Sequence, residues 1–131
     1  MPPLTILVVD DQPIMREVVS QILEDAGHHV RSAGDGVEAL RKLGCARYDL
    51  MVTDVVMPGM DGIELIAEAR RRHPDLRIVA MSAGSGRLSR VNCLGIAERL
   101  GAEVVLAKPF DAHALLEAVA DLCPAGTLAL Q

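Results

Sequence analysis

With 131 residues the chain has room for one domain with a real core, since a chain of this size buries roughly two-thirds of its extended surface on folding. Half of the residues are hydrophobic, yet one Phe, one Tyr and no Trp leave the core to Val, Leu, Ile, Ala and Met and provide no stacking platform for single-stranded bases. The net charge of −5, from 18 acidic and 13 basic residues, argues against nucleic acid or an anionic membrane as a direct partner.

The first predicted element is a strand over Leu4–Val9, an apolar run that closes on two adjacent carboxylates, Asp10 and Asp11. A helix is expected over Gln12–Ala26, with Ile14, Val18 and Ile22 on one stripe and Val19 and Leu23 beside it. Pro13 stands near its first turn and Gly27 at its end. Then follow a strand over His29–Ala33, a helix over Gly36–Leu43, a strand over Leu50–Thr53 and a helix over Asp61–Arg72. The last elements are a strand over Ile78–Met81, a helix near Leu88–Leu100 that stops at Gly101, a strand over Val104–Ala107 and a helix over Asp111–Leu122.

The strands are short, rich in β-branched residues and mostly apolar without period-two alternation, the pattern of parallel strands covered on both faces. Five βα units in one chain predict an α/β fold, a doubly wound five-stranded parallel sheet of the flavodoxin-like order 2-1-3-4-5. Residues 1–123 are expected to form this domain. Residues 124–131, "PAGTLALQ", read as a short tail, with no output domain.

Cys45, Cys93 and Cys123 are odd in number, far apart and without C-x-x-C spacing, so they read as reduced, buried thiols of a cytosolic protein. No stretch approaches a membrane span, and "MPPLTILVVDD" lacks the positive region of a signal peptide. A cytoplasmic protein without membrane insertion is the expectation.

Ligands of such sheets bind outside the carboxyl ends of the strands, near the point where strand order reverses. Here the first strand ends at Asp10-Asp11, the third at Asp54, the fourth at Ser82 and the fifth at Lys108, whereas the second ends in the bland Ala33-Gly34. Singly, these residues read as a helix cap, a turn former or a solvated loop charge. Jointly they bring three carboxylates, a hydroxyl and an ammonium to one edge. Three aspartates and one lysine leave a local charge that a divalent cation would cancel. An all-oxygen ligand set without His or Cys suits Mg²⁺ or Mn²⁺. A metal beside a single carboxylate on the middle strand suits phosphoryl transfer, with Asp54 as nucleophile and Lys108 and Ser82 facing the transferred group.

The runs "ILVVDDQPIMR", "DLMVTDVVMPGMDG", "IVAMSAG" and "LAKPF" together resemble the response-regulator receiver domain, and the likeness extends from Leu4 to about Leu122. The resemblance implies that Asp54 is the phosphoacceptor, charged by a histidine kinase or a histidine phosphotransfer protein, and that the state is read by a downstream protein. It implies Mg²⁺ held directly by Asp11, Asp54 and the backbone carbonyl of Val56, with Asp10 acting largely through water. Ser82 would be the switch hydroxyl and Lys108 the fixed cation. Pro109 would follow a cis peptide bond, as in many relatives. Such a module accepts a phosphoryl group and loses it again, and is not an enzyme acting on a separate substrate.

Several positions depart from the family pattern. Val105 stands where an aromatic residue often swings between exposed and buried states. Val56 and Gly84 occupy the two places that tune acyl-phosphate lifetime, and neither can position a water by a side-chain hydrogen bond. The segment from Ser82 to Lys108 is several residues longer than usual and contains the Gly/Ser-rich loop Gly84–Arg90, which reads as an altered partner face or mobile lid and equally as a tolerated surface insertion. Arg70-Arg71-Arg72-His73 reads as a solvated helix end that complements the dipole, and His28-His29 as a loop entering a strand.

Three other functions compete. An aspartyl-phosphate hydrolase of the haloacid dehalogenase kind would need an acid two residues after the nucleophile, where Val56 stands. A receiver-shaped module that ignores phosphate would usually lack the acidic pair, the phosphoacceptor or the lysine, all retained here. A flavin-binding protein would need a phosphate-cradling loop after the first strand, and none is visible.

Overall fold

The computed structural model describes residues 3–55, 62–82, 101–107 and 111–122, and the predicted helix near 88–100 and the Gly84–Arg90 segment lie outside them. In chain order the described elements are β1 (Thr5–Val9), α1 (Pro13–Asp25), β2 (His29–Ala33), α2 (Gly36–Cys45), β3 (Leu50–Asp54), α3 (Gly62–Arg72), β4 (Arg77–Ser82), β5 (Val104–Ala107) and α4 (Ala112–Leu122). The strands are all parallel and stand in the order β2-β1-β3-β4-β5, as the pattern of apolar runs predicts. Chain order reverses between β1 and β3, which fixes where a ligand crevice opens.

Each face of the sheet is covered by helices. Leu7, Val9, Met51, Ile78 and Ala80 pack on one side with Ala39 and Leu43 of α2 and Leu65, Ile66 and Ala69 of α3. Ile6, Val8, Leu50, Val52, Val79 and Met81 pack on the other with Val19 and Leu23 of α1 and Leu115 and Val119 of α4. Period-two alternation along each central strand sends neighbours to opposite cores, so both sets are apolar and the run looks continuous. The edge strand β2 differs. His29 and Arg31 are exposed, Val30 and Ser32 half-buried and Ala33 buried, an alternation not anticipated for it.

Local chemistry sets the helix ends. Pro13 opens α1, where its missing N–H costs nothing, and Gly27 closes it with φ of +99°. Asp35 caps α2 by accepting from the Glu38 amide at 2.8 Å, while Glu38 reaches back to the Gly34 amide at 3.0 Å, in the manner of a capping box. Asp111 caps α4 through the Ala114 amide at 2.8 Å, and so precedes that helix instead of belonging to it.

Two expectations about side chains fail. In α1 the buried residues are Val19 and Leu23, with Met15 and Ile22 packed against them, while Ile14 is 79% and Val18 48% exposed. Once Val19 and Leu23 set the inward direction, Val18, one residue before Val19, is turned about 100° away, and Ile14, five residues before it, about 140°. Cys45, expected to be buried, is exposed at the last position of α2. It stands two residues beyond the inward-facing Leu43, on the far side of the helix.

Candidate functional site

Strand register assembles the site. Val9 of β1 is level with Thr53 of β3, so the next residues, Asp10 and Asp54, emerge side by side at the carboxyl edge. Asp54 in turn is level with Met81 of β4, which places Ser82 one step further along the neighbouring strand. Asp10, Asp54 and Ser82 are buried, and Asp11 is half-exposed at the mouth. One carboxylate oxygen from each of Asp10, Asp11 and Asp54 lies within 4.8 Å of the others. The expected juxtaposition of the acidic pair with Asp54 is therefore present. Val56, Lys108 and Pro109 lie outside the described residues.

The backbone around the carboxylates is tied down on every side. The Asp10 amide donates to the Ala33 carbonyl at 3.2 Å, its side chain accepts from the Gln12 amide at 2.9 Å, and its carbonyl accepts from the Arg16 guanidinium at 2.8 Å. Thr53, wholly buried, donates its hydroxyl to the Asp54 carbonyl at 3.0 Å. The Val55 amide donates to the Met81 carbonyl at 2.9 Å, and the Gly62 amide to the Val55 carbonyl at 2.8 Å. A Cβ on Gly62 would lie 2.5 Å from the Val55 Cα and closer still to the Asp54 carbonyl oxygen, so only glycine lets α3 start so near the strand end. Sequence reasoning did not single out Arg16, Gly34 or Gly62, although Arg16 and Gly62 end two of the motifs on which the resemblance rests.

Three acidic groups so close, two of them buried, repel one another unless a cation joins them. Their donor atoms fit one. Around an octahedral Mg²⁺ with bonds near 2.0–2.1 Å, ligand oxygens stand about 3 Å apart when adjacent and about 4.2 Å when opposite. Small side-chain movements bring oxygens within 4.8 Å of one another into that range. Among the described residues no other cluster of His, Cys, Asp and Glu meets this criterion.

Val105 is half-buried and packs against the core that includes Ala80, its neighbour on β4. The basic run in α3 is held by acidic partners. Arg71 and Arg72 both pair with Glu68, whose carboxyl sits below its ordinary range chiefly through the Arg71 hydrogen bond. Arg70 is not the solvated end expected of it. It pairs with Glu103 and donates to the Pro74 carbonyl at 2.8 Å and the Gly101 carbonyl at 2.7 Å. His28 is buried beneath β1, with its Nδ1 accepting from the Leu4 amide at 3.1 Å. Among the described residues no helix is long and apolar enough to cross a membrane.

Known proteins share this fold. Over 115 residues, 88% of the chain, it is 42% identical to the DNA-binding transcriptional regulator NtrC of Azospirillum brasilense. That match takes up 23% of NtrC, so the chain spans about a quarter of this relative's length. The chemotaxis protein CheY4 of Vibrio cholerae superposes with a TM-score of 0.81 at 32% identity, covering 92% of this chain and 98% of that one. The response regulator TrrA of Thermotoga maritima, solved in complex with Mg²⁺–BeF, gives 0.79 at 32% identity over 90% of this chain and 97% of its own. The family model for the response regulator receiver domain matches residues 6–120, spanning both helical layers and every strand that feeds the acidic edge. The chain belongs to the response regulator receiver domain family of two-component systems.

Proposed function

We propose that this domain accepts a phosphoryl group on Asp54 with the help of Mg²⁺ bound at the cluster of Asp10, Asp11 and Asp54. The observation that carries the reading is the convergence of three carboxylates within 4.8 Å at the strand-order reversal, with Asp54 on the central strand. TrrA, similar over nearly its whole length, is known with Mg²⁺–BeF, which supports the same ligand chemistry here.

The donor is the phosphohistidine of a histidine kinase or phosphotransfer protein. A carboxylate oxygen of Asp54 forms a bond to phosphorus as the phosphorus–nitrogen bond breaks, and the departing imidazole takes its proton from solvent. Bound Mg²⁺ would supply charge compensation for the transferred oxygens. Asp11 and Asp54 would hold it directly with the Val56 carbonyl, and Asp10 through water. Ser82 donates to a phosphoryl oxygen, and Lys108 is assigned the second cationic contact. The domain turns over no separate substrate, and its modified state is passed on through contacts with a downstream protein. An acidic chain with only one Phe and one Tyr favours protein as that partner.

Intact mass spectrometry after incubation with acetyl phosphate and Mg²⁺ tests this. One phosphoryl adduct is expected for the wild type, and none for Asp54→Asn or when the metal is chelated. An adduct that survives Asp54→Asn would assign the acceptor elsewhere.

A further inference from the structure

We infer that Arg16 is a positioning residue for the carboxylate cluster, and that Gly34 is glycine in order to seat it. Arg16 lies on the first turn of α1, and its guanidinium crosses the β1–α1 connection to donate to the Asp10 carbonyl at 2.8 Å. That carbonyl and the Asp11 amide belong to one rigid peptide plane. A donor fixed on the carbonyl therefore fixes the direction in which the chain leaves for Asp11. The Asp10 amide is already anchored on Ala33 and its side chain on the Gln12 amide, so Arg16 completes the restraint from the remaining side.

Gly34 explains the path of the guanidinium. A Cβ at this residue would lie 3.1 Å from the Arg16 terminal nitrogen. Its backbone does not demand glycine, because the positive-φ glycines among the described residues are Gly27 and Gly101. A methyl group there would make the guanidinium tip give way by a few tenths of an ångström. Gly34 is itself held in place, through its amide, by Glu38 at the start of α2. The end of β2, which contributes no charge to the site, thus serves as the floor on which its organising arginine rests.

This inference rests on the metal-binding reading above. Groups that orient metal ligands from outside the coordination shell typically cost tenfold or more in affinity when removed. The test is a titration with Mn²⁺, followed by electron paramagnetic resonance of the free ion, on wild type, Arg16→Ala, Arg16→Lys and Gly34→Ala, with thermal midpoints measured in parallel. Arg16→Ala is expected to weaken Mn²⁺ binding about tenfold, with Arg16→Lys and Gly34→Ala between it and wild type. The Gly34 variant matters because it keeps the charge of Arg16 and only crowds its guanidinium. Should Arg16→Ala fail to fold, the other two variants carry the comparison. Unchanged affinity with lowered midpoints would overturn the inference by showing a purely structural role. Tighter binding in Arg16→Ala would overturn it by showing that the guanidinium acts as a repelling charge. Absence of Mn²⁺ uptake by the wild type would overturn the metal reading and the inference with it, an outcome distinct from normal uptake by all four proteins.

Discussion

At Gly62 the first turn of α3 presses on the backbone of Asp54 and Val55, so a methyl group there has nowhere to go but into the strand end. Gly62→Ala is expected to cost about 1–3 kcal/mol, the usual penalty for overpacking, and to reduce phosphoryl acceptance at Asp54 by displacing its carbonyl. Urea denaturation and acetyl phosphate labelling would register the two effects separately. His28 makes a different prediction. Burial first, and then nearby positive charge including that of His29, hold its pKa below the ordinary 6.5, so the folded state favours the neutral ring that accepts from Leu4. Above about pH 6.5 the ring is neutral whether the chain is folded or not, and the full stability is present. As pH falls below that value the unfolded chain takes up the proton first, and stability is lost until the folded ring titrates as well. Midpoints of urea unfolding between pH 7.5 and 5.5 should fall for wild type and fall less for His28→Asn, which keeps an acceptor and does not titrate. The acidic residues of the site were readable because each ends an apolar run. Arg16, Gly34 and His28 were not, because their partners stand 6 to 24 residues away in sequence and meet them only once strand register is set.

The strands and their order could be read from short β-branched runs separated by amphipathic stretches, and every boundary of the described elements falls within two residues of expectation. Facing was harder to read. On α1 the apolar set Ile14, Met15, Val18, Val19, Ile22 and Leu23 is wider than the face the sheet covers, so periodicity alone could not say which edge of the stripe stays wet. The basic run of α3 likewise hid a division of labour. Arg71 and Arg72 turn to Glu68 on their own helix, whereas Arg70 joins the end of α3 to the chain before β5 through Glu103 and Gly101. Glu103 also accepts from the Ile78 amide of β4, so one pair links three elements at the end of the sheet opposite the acidic site. Charge-assisted bonds of this kind, about three-quarters buried, should make Arg70→Ala cost about 1–3 kcal/mol in urea unfolding. Arg71→Ala, exposed and paired within its helix, should leave urea unfolding nearly unchanged.

For the molecule as a whole, the acidic edge sets stability against function. Three carboxylates within 4.8 Å of one another repel, and the contacts around them together with the two cores beneath must offset that cost. Asp54→Asn removes one of the charges and should raise the metal-free thermal midpoint, by the equivalent of about 0.5–2 kcal/mol. Mg²⁺ should stabilise the wild type by about 2.7 kcal/mol at a hundredfold excess over its Kd, and Asp54→Asn considerably less. Thermal scans of both proteins with and without the cation would show whether the two curves draw together as it is added.

Asp10 and Asp54 come level because β1 and β3 pair in a single register, and adjacent strands stand about 4.8 Å apart in any sheet. The ruler that spaces the two carboxylates is therefore the peptide ladder, which every sequence shares. Away from the residues that touch the site, helices and loops between these strands can lengthen, shorten or change composition while the ladder keeps its step. A slip of one residue in β3, by contrast, would bring Thr53 or Val55 to the place of Asp54. Lineages of such domains can thus rebuild their outer surfaces for new partners while inheriting the spacing of their chemistry unchanged.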